Sequence, residues 1–155
     1  MRGVVRTLIH RLKYGAERSV VDALVLLLMQ VWQEGDPVVV TWMPGSSSRS
    51  RMRGVDHARA LAEAFGEAAN LRTIQMLERT VDLGPQTGLH RQDRKRNLVG
   101  SLRCRIPSAD RVVVIDDVFT TGASAAEAAR ALRAAGASEV LALSVARTPE
   151  PGRHS

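Results

Sequence analysis

Cysteine is almost missing from this 155-residue chain: Cys104 stands alone. That excludes a disulfide framework and any metal site built on several thiolates, and a cytoplasmic location is the simplest expectation. Aromatics are scarce as well, at 3% (Tyr14, Trp32, Trp42, Phe65 and Phe119). Stacking platforms for single-stranded nucleic acid are therefore not the main business of the molecule. The longest apolar run, residues 20–32, is broken by Asp22 and Gln30, too short and too polar for a membrane span. Met1-Arg2 leads into an amphipathic pattern and not into the apolar stretch of an export signal.

Several enzyme signatures are also lacking. Neither Lys13 nor Lys95 follows a glycine, so there is no Walker-type phosphate loop. No two glycines stand as G-x-G, which removes the dinucleotide fingerprint, and His10, His57, His90 and His154 form no H-E-x-x-H or H-x-E arrangement. The G-x-S-x-G elbow of α/β-hydrolases is missing too.

What is present is the composition of a globular domain, 45% hydrophobic and 25% charged. Lys+Arg 22 against Asp+Glu 16 gives +6, and with only two lysines nearly all the positive charge is guanidinium. Arginine in that proportion suits bidentate recognition of phosphate or carboxylate, although a GC-rich genome produces the same bias.

Along the chain, Val4, Val5, Leu8, Ile9 and Leu12 follow helical spacing, and Gly15 can stop that helix. A second helix is predicted from an N-cap at Ser19 through Val31. The β-branched run 38–41 then reads as a buried strand closed by Pro44-Gly45. Residues 56–69 return to helix, 72–76 to a short strand, and 80–90 to loop, followed by the basic stretch Arg91-Gln92-Asp93-Arg94-Lys95-Arg96. A weak strand around Leu102, a strong one over 111–115, a helix over 123–135 and a last strand over 140–145 complete the pattern. Strands separated by helices predict an α/β fold with a mostly parallel central sheet flanked by helices. The expected organisation is one domain over 1–148 with a frayed tail over 149–155.

The sharpest segment is Val112-Val113-Val114-Ile115-Asp116-Asp117-Val118-Phe119-Thr120-Thr121-Gly122-Ala123-Ser124. Four apolar residues make a strand buried on both faces, and two carboxylates follow at the end where open α/β sheets bind ligands. Small and hydroxyl-bearing residues then open a helix, so backbone N–H groups and hydroxyls can converge on an anion. The carboxylates suit sugar hydroxyls, and the loop suits a terminal phosphate. This segment resembles the phosphoribosyl-pyrophosphate (PRPP) signature of type I phosphoribosyltransferases at every class position.

Together with Leu8-Ile9-His10-Arg11-Leu12-Lys13-Tyr14, Arg53-Gly54-Val55-Asp56-His57-Ala58, Pro85-Gln86-Thr87-Gly88-Leu89-His90-Arg91 and Arg96-Asn97-Leu98, the signature resembles the ComF family of competence-associated phosphoribosyltransferase-like proteins. Two departures accompany the likeness. Many members carry an N-terminal zinc ribbon with four cysteines, which this chain lacks, as a naturally short form or through a misplaced start codon would. The loop Pro44-Gly45-Ser46-Ser47-Ser48-Arg49 is richer in serine than the arginine-rich loop usual in the family.

The resemblance implies that Asp116 and Asp117 bind the ribose 2′- and 3′-hydroxyls, directly or through Mg²⁺ and its waters. Thr120, Thr121, Gly122, Ala123 and Ser124 would cradle the 5′-phosphate. Pro44, Gly45, Ser46 and Arg49 would lie at the pyrophosphate site. Residues 86–97 would be the mobile catalytic loop, with Arg91 and Arg94 as pyrophosphate contacts, although an arginine run is as readily a solvated helix face. Arg51 and Arg53 carry the same ambiguity. His57 is expected as a surface or capping residue, Cys104 as a small core hydrophobe, and Trp42 as core packing in preference to a base-stacking ring.

Three functions are thereby open. The first is an Mg²⁺-dependent phosphoribosyltransferase, transferring phosphoribose to a small nitrogenous acceptor. The second is a non-catalytic PRPP or nucleotide sensor that partners the DNA-uptake machinery, and the third is direct nucleic-acid binding through the arginines. A homodimer is a family-level expectation.

Overall fold

A computed structural model describes residues 18–33, 39–45, 56–80, 99–119 and 121–147. Two 12-residue helices, α1 (Arg18–Met29) and α2 (His57–Ala68), lie on one face of the main sheet, and a third, α3 (Ala123–Ala134), lies on the other. The strands are β1 (Val39–Trp42), β2 (Arg72–Thr73), β3 (Leu77–Arg79), β4 (Leu102–Cys104), β5 (Arg111–Phe119) and β6 (Glu139–Arg147). β2, β1, β5 and β6 form a four-stranded sheet in that order, every pair parallel, as the alternation of strands and helices predicts. β3 and β4 form a separate antiparallel pair.

The centre of the sheet is β5. Its alternation sends Val113 and Ile115 to the α1/α2 side, where they meet Leu24, Leu28, Leu61 and Phe65, while Val112 and Val114 meet Ala128, Ala131 and Leu132 of α3. A strand covered on both faces needs apolar residues at every position, which is why four run consecutively. Trp42 is buried in the α1/α2 cluster, as expected, with the Arg59 guanidinium 5.7 Å from its ring centroid. Trp32 meets Phe65 edge-on with centroids 5.7 Å apart. Cys104 is half-buried against the α3 cluster, and its thiol donates to the Ile106 carbonyl at 3.1 Å.

Several boundaries differ from the sequence expectation. Ser19 lies inside α1, because the helix already includes Arg18. α2 is instead capped by Asp56, whose carboxylate accepts from the Arg59 amide, so His57 is a half-buried first helical residue. The expected strand over 72–76 stops at Thr73: Ile74 still donates to Val40 O, but the Met76 amide turns to the Thr41 hydroxyl (3.1 Å). The chain then leaves the main sheet, and Leu77–Arg79 pairs with β4, a hairpin the sequence reading did not contain. β5 continues four residues past Ile115 because β6 accompanies it, pairing Asp116 with Ser144, Val118 with Ala146 and Phe119 with Arg147. The tail from 149, the first predicted helix and the basic stretch fall outside the described residues.

Candidate functional site

Parallel strands bring β1 and β5 to the same end of the sheet, and this end carries the candidate residues. The Met43 amide donates to Ile115 O at 2.9 Å, so the β1–β5 ladder runs right up to Pro44 and Gly45 on one strand and Asp116 on the other. Pro44 is buried and Gly45 exposed.

β5 passes into α3 through a turn that only glycine accommodates comfortably. Gly122 has φ 77° and ψ −5° and serves as the N-cap. A Cβ there would come within 3.1–3.2 Å of the Phe119 ring, in addition to the left-handed strain. No side chain caps the helix. The Ala123 amide reaches the Thr121 hydroxyl at 3.4 Å, and the ladder starts with Ala126 N–H donating to Gly122 O at 2.9 Å. The amides of Ser124 and Ala125 therefore lie ahead of the intrahelical ladder, at the positive end of the helix dipole. Asp116, Val118, Phe119, Gly122, Ser124 and Ala125 line a small concavity open to solvent. One carboxylate and one helix N-terminus thus share a single small space.

The electrostatics of the carboxylates are unusual. Burial pushes the Asp116 carboxyl from 3.8 up to about 7, and the charge and side-chain hydrogen bond of Asp117 push in the same direction. Two groups oppose this: the Asp117 amide, which donates to Asp116 Oδ1 at 2.9 Å, and the positive charge of Arg79. A carboxylate under this burden favours a cation or several hydroxyl donors beside it. Among the described residues no three His, Cys, Asp or Glu side chains converge. The donor set therefore fits a hard cation such as Mg²⁺ only with most of its shell supplied by water and ligand oxygens.

Arg79 is the site residue the sequence reading missed. It ends β3, is half-buried, and its Nε donates to Pro44 O at 3.1 Å, 35 positions away in sequence. The local signal, Leu77-Glu78-Arg79-Thr80, is one apolar residue followed by three polar ones, with no alternation to distinguish it from loop. Its partner Leu102 sits beyond the 81–98 segment.

Of the residues singled out in advance, Asp116, Gly122 and Ser124 line the concavity. Asp117, Thr121 and Ala123 adjoin it through the hydrogen bonds described, and Pro44 and Gly45 stand at the neighbouring strand end. Ser46, Arg49, Arg51, Arg53, Arg91, Arg94 and Thr120 lie outside the described residues.

No protein-family model matches the chain. It is similar to the "DNA utilization protein YhgH" of Escherichia coli O6:H1, with 31% identity over 150 residues, and to that of Salmonella typhimurium, with 32% over 155. Each match covers 91% of this chain and 66% of the relative, so the chain spans just under two thirds of these proteins. Among solved structures it resembles the allosteric regulatory enzyme of purine biosynthesis (TM-score 0.55, 22% identity), with 81% of this chain covering 25% of that one. It also resembles orotate phosphoribosyltransferase from Aeropyrum pernix (TM-score 0.53, 20% identity, 85% and 73% covered). A third likeness is to adenine phosphoribosyltransferase from Rhodothermus marinus (TM-score 0.52, 15% identity, 86% and 82% covered). The chain is thus a relative of the DNA utilization protein YhgH, and its fold is that of the type I phosphoribosyltransferases.

Proposed function

We propose that this chain binds PRPP together with Mg²⁺ and is a ComF-like, type I phosphoribosyltransferase. The observation that carries the reading is the shared concavity: a half-buried carboxylate at the carboxyl end of β5 faces the uncapped start of α3. A ribose 5-phosphate has this polarity, hydroxyls at one end and a dianion at the other.

In this reading Asp116 and Asp117 accept hydrogen bonds from the ribose hydroxyls, and the Ser124 and Ala125 amides with the hydroxyls of Thr120, Thr121 and Ser124 hold the 5′-phosphate. The pyrophosphate lies toward Pro44, Gly45, Ser46 and Arg49, with Arg91 and Arg94 as further cations. Bound Mg²⁺ supplies charge neutralisation for the pyrophosphate oxygens. A nitrogen of the acceptor forms a bond to C1′ as the bond from C1′ to the pyrophosphate oxygen breaks and takes its electron pair. Positive charge accumulates on the ribose between them, so the work of the site is positioning and electrostatic stabilisation.

A thermal melt tests binding. With PRPP and Mg²⁺ at a hundredfold excess over Kd, stability rises by about 2.7 kcal/mol. A Tm unmoved at saturating PRPP overturns the reading. Pyrophosphate release, assayed across purine, pyrimidine and pyridine bases, then decides between turnover and a second reading. The DNA-utilization name of the relatives favours that second reading, a non-catalytic PRPP-sensing accessory of DNA uptake. Binding with no release on any base selects it.

A further inference from the structure

α3 carries a carboxylate that the proposed chemistry does not use. Glu127 is only 4% exposed, one turn into the helix. Its Oε1 and Oε2 each accept from Arg130 at 2.8 Å, and Oε1 also accepts the Leu102 amide at 3.3 Å. Arg130 Nη2 in turn donates to the Leu102 carbonyl at 3.2 Å. Hydrogen bonds from Arg130 and from the Leu102 and Gly100 amides hold the Glu127 carboxyl below its ordinary range, against the cost of burial.

The strand pairing explains why the geometry is needed. Across the hairpin Thr80 N–H donates to Ser101 O at 3.0 Å, and Arg79 stands opposite Leu102. In an antiparallel pair the next residue along points its N–H and C=O outward, so both backbone groups of Leu102 face away from β3 and toward α3. Leu102 is 2% exposed, and buried backbone groups without partners are costly. Glu127 and Arg130 supply an acceptor and a donor at the correct spacing, as a neighbouring strand would.

We propose that Glu127 and Arg130 are positioning residues: together they clamp β4 to α3 and so hold its partner strand β3, with Arg79, in place beside the ligand site. α3 is the helix whose first turn lines the concavity, and Leu102 is the pairing partner of Arg79, which reaches Pro44. One helix therefore carries both the anion-binding end and the anchor of the hairpin that bears Arg79. The consequence for ligand rests on the PRPP reading; the clamp itself does not.

The experiment uses the full chain and its Glu127→Ala, Glu127→Gln, Arg130→Met and Arg130→Lys variants, each studied well below its own Tm. Amide hydrogen exchange by NMR reads the clamp without ligand. In Glu127→Ala, exchange at Leu102 and Gly100 rises about tenfold, the equivalent of one lost hydrogen bond, while β5 and the body of α3 keep their protection. Arg130→Met acts in the same direction. Glu127→Gln, which retains an acceptor, and Arg130→Lys, which retains a donor, recover most of the protection. Unchanged protection at Leu102 in both disruptive variants overturns the clamp. Titration with PRPP and Mg²⁺ reads the coupling: the Kd rises several-fold in the disruptive variants and returns toward the parent value in the conservative ones. Loss of Leu102 protection with an unaltered Kd overturns the coupling to ligand. A parent chain that does not bind PRPP overturns the functional reading and this coupling with it, while the exchange data still decide the clamp.

Discussion

Asp116 is the residue on which most depends. It occupies the Val112–Val114 side of β5, in register with Ser144 of β6, and burial beside Asp117 keeps its carboxyl protonated up to about pH 7. The folded state thus holds this proton more tightly than the unfolded chain. The stabilisation is fully present below the unfolded value near 4 and is lost as pH rises through about 7. Asp116→Asn removes this dependence: relative to the parent, its Tm is higher at pH 8 than at pH 5.5 by several degrees, measured in matched buffers. In the same variant the PRPP-dependent rise in Tm disappears, since an amide is neutral and offers one acceptor oxygen and an NH2 donor where the carboxylate offers two charged acceptor oxygens to hydroxyls or a cation. A variant that keeps the parent's pH profile, or its response to PRPP, contradicts this role. The signature was legible in sequence because its requirements are local, four apolar residues, two acids and a glycine at the helix start. The raised proton affinity was not, because it arises first from burial, which adjacent letters do not specify, and is set against the opposing charge of Arg79, 37 positions away.

Among the elements, the β3–β4 hairpin is the part that sequence patterning could not supply. Each strand is three residues long, below the length at which alternation distinguishes strand from loop. What makes it form is a set of long-range contacts: Thr41 to Met76, Glu127 and Arg130 to Leu102, and Arg79 to Pro44. Thr41 is fully buried, and its hydroxyl accepts the Met76 amide where the chain leaves the main sheet. Replacing Thr41 with Val keeps the shape and removes the acceptor, leaving a buried amide unsatisfied. This costs about 1–3 kcal/mol by denaturant unfolding, with accelerated exchange at Met76; a neutral effect on both shows that the hydroxyl is dispensable. By contrast α2 and α3 were legible almost to the residue. Asp56 and Gly122 mark their starts, and Ala58, Leu61, Ala62 and Phe65, or Ala128, Ala131 and Leu132, make one apolar side.

On the scale of the whole molecule, two apolar clusters are separated by the sheet, one under α1 and α2 and one under α3. β5 contributes alternate residues to both, so the clusters share a backbone and unfold together. Phe65→Ala, in the first cluster, lowers stability by roughly 3–5 kcal/mol. Denaturant unfolding followed by Trp32 and Trp42 fluorescence and by exchange at Leu132 gives a single midpoint for the variant, as for the parent. Two separated midpoints mean that the faces fold independently.

The +6 charge, carried almost wholly by arginine, acquires a structure on this scale. Arg103 and Arg105 pair with Glu78, Arg111 with Glu139, Arg130 with Glu127 and Arg59 with Glu63. Much of the guanidinium on the described surface is thus engaged within the fold and does not form one continuous basic face. No described helix is long and apolar enough to cross a membrane.

The sequence by itself determined the parallel α/β architecture, the signature strand with its two acids, and the glycine-led start of the helix that follows. These depend on the period of apolar residues and on conformations that single residue types favour, which act over a few neighbouring positions. Only the tertiary structure decided that Arg79 stands beside Pro44 and within reach of Asp116, and that Glu127 and Arg130 complete the edge of β4. Those contacts join residues 25 to 37 positions apart, and such pairings are selected by the packing of α3 and two sheets around shared apolar faces, not by any pattern within one segment.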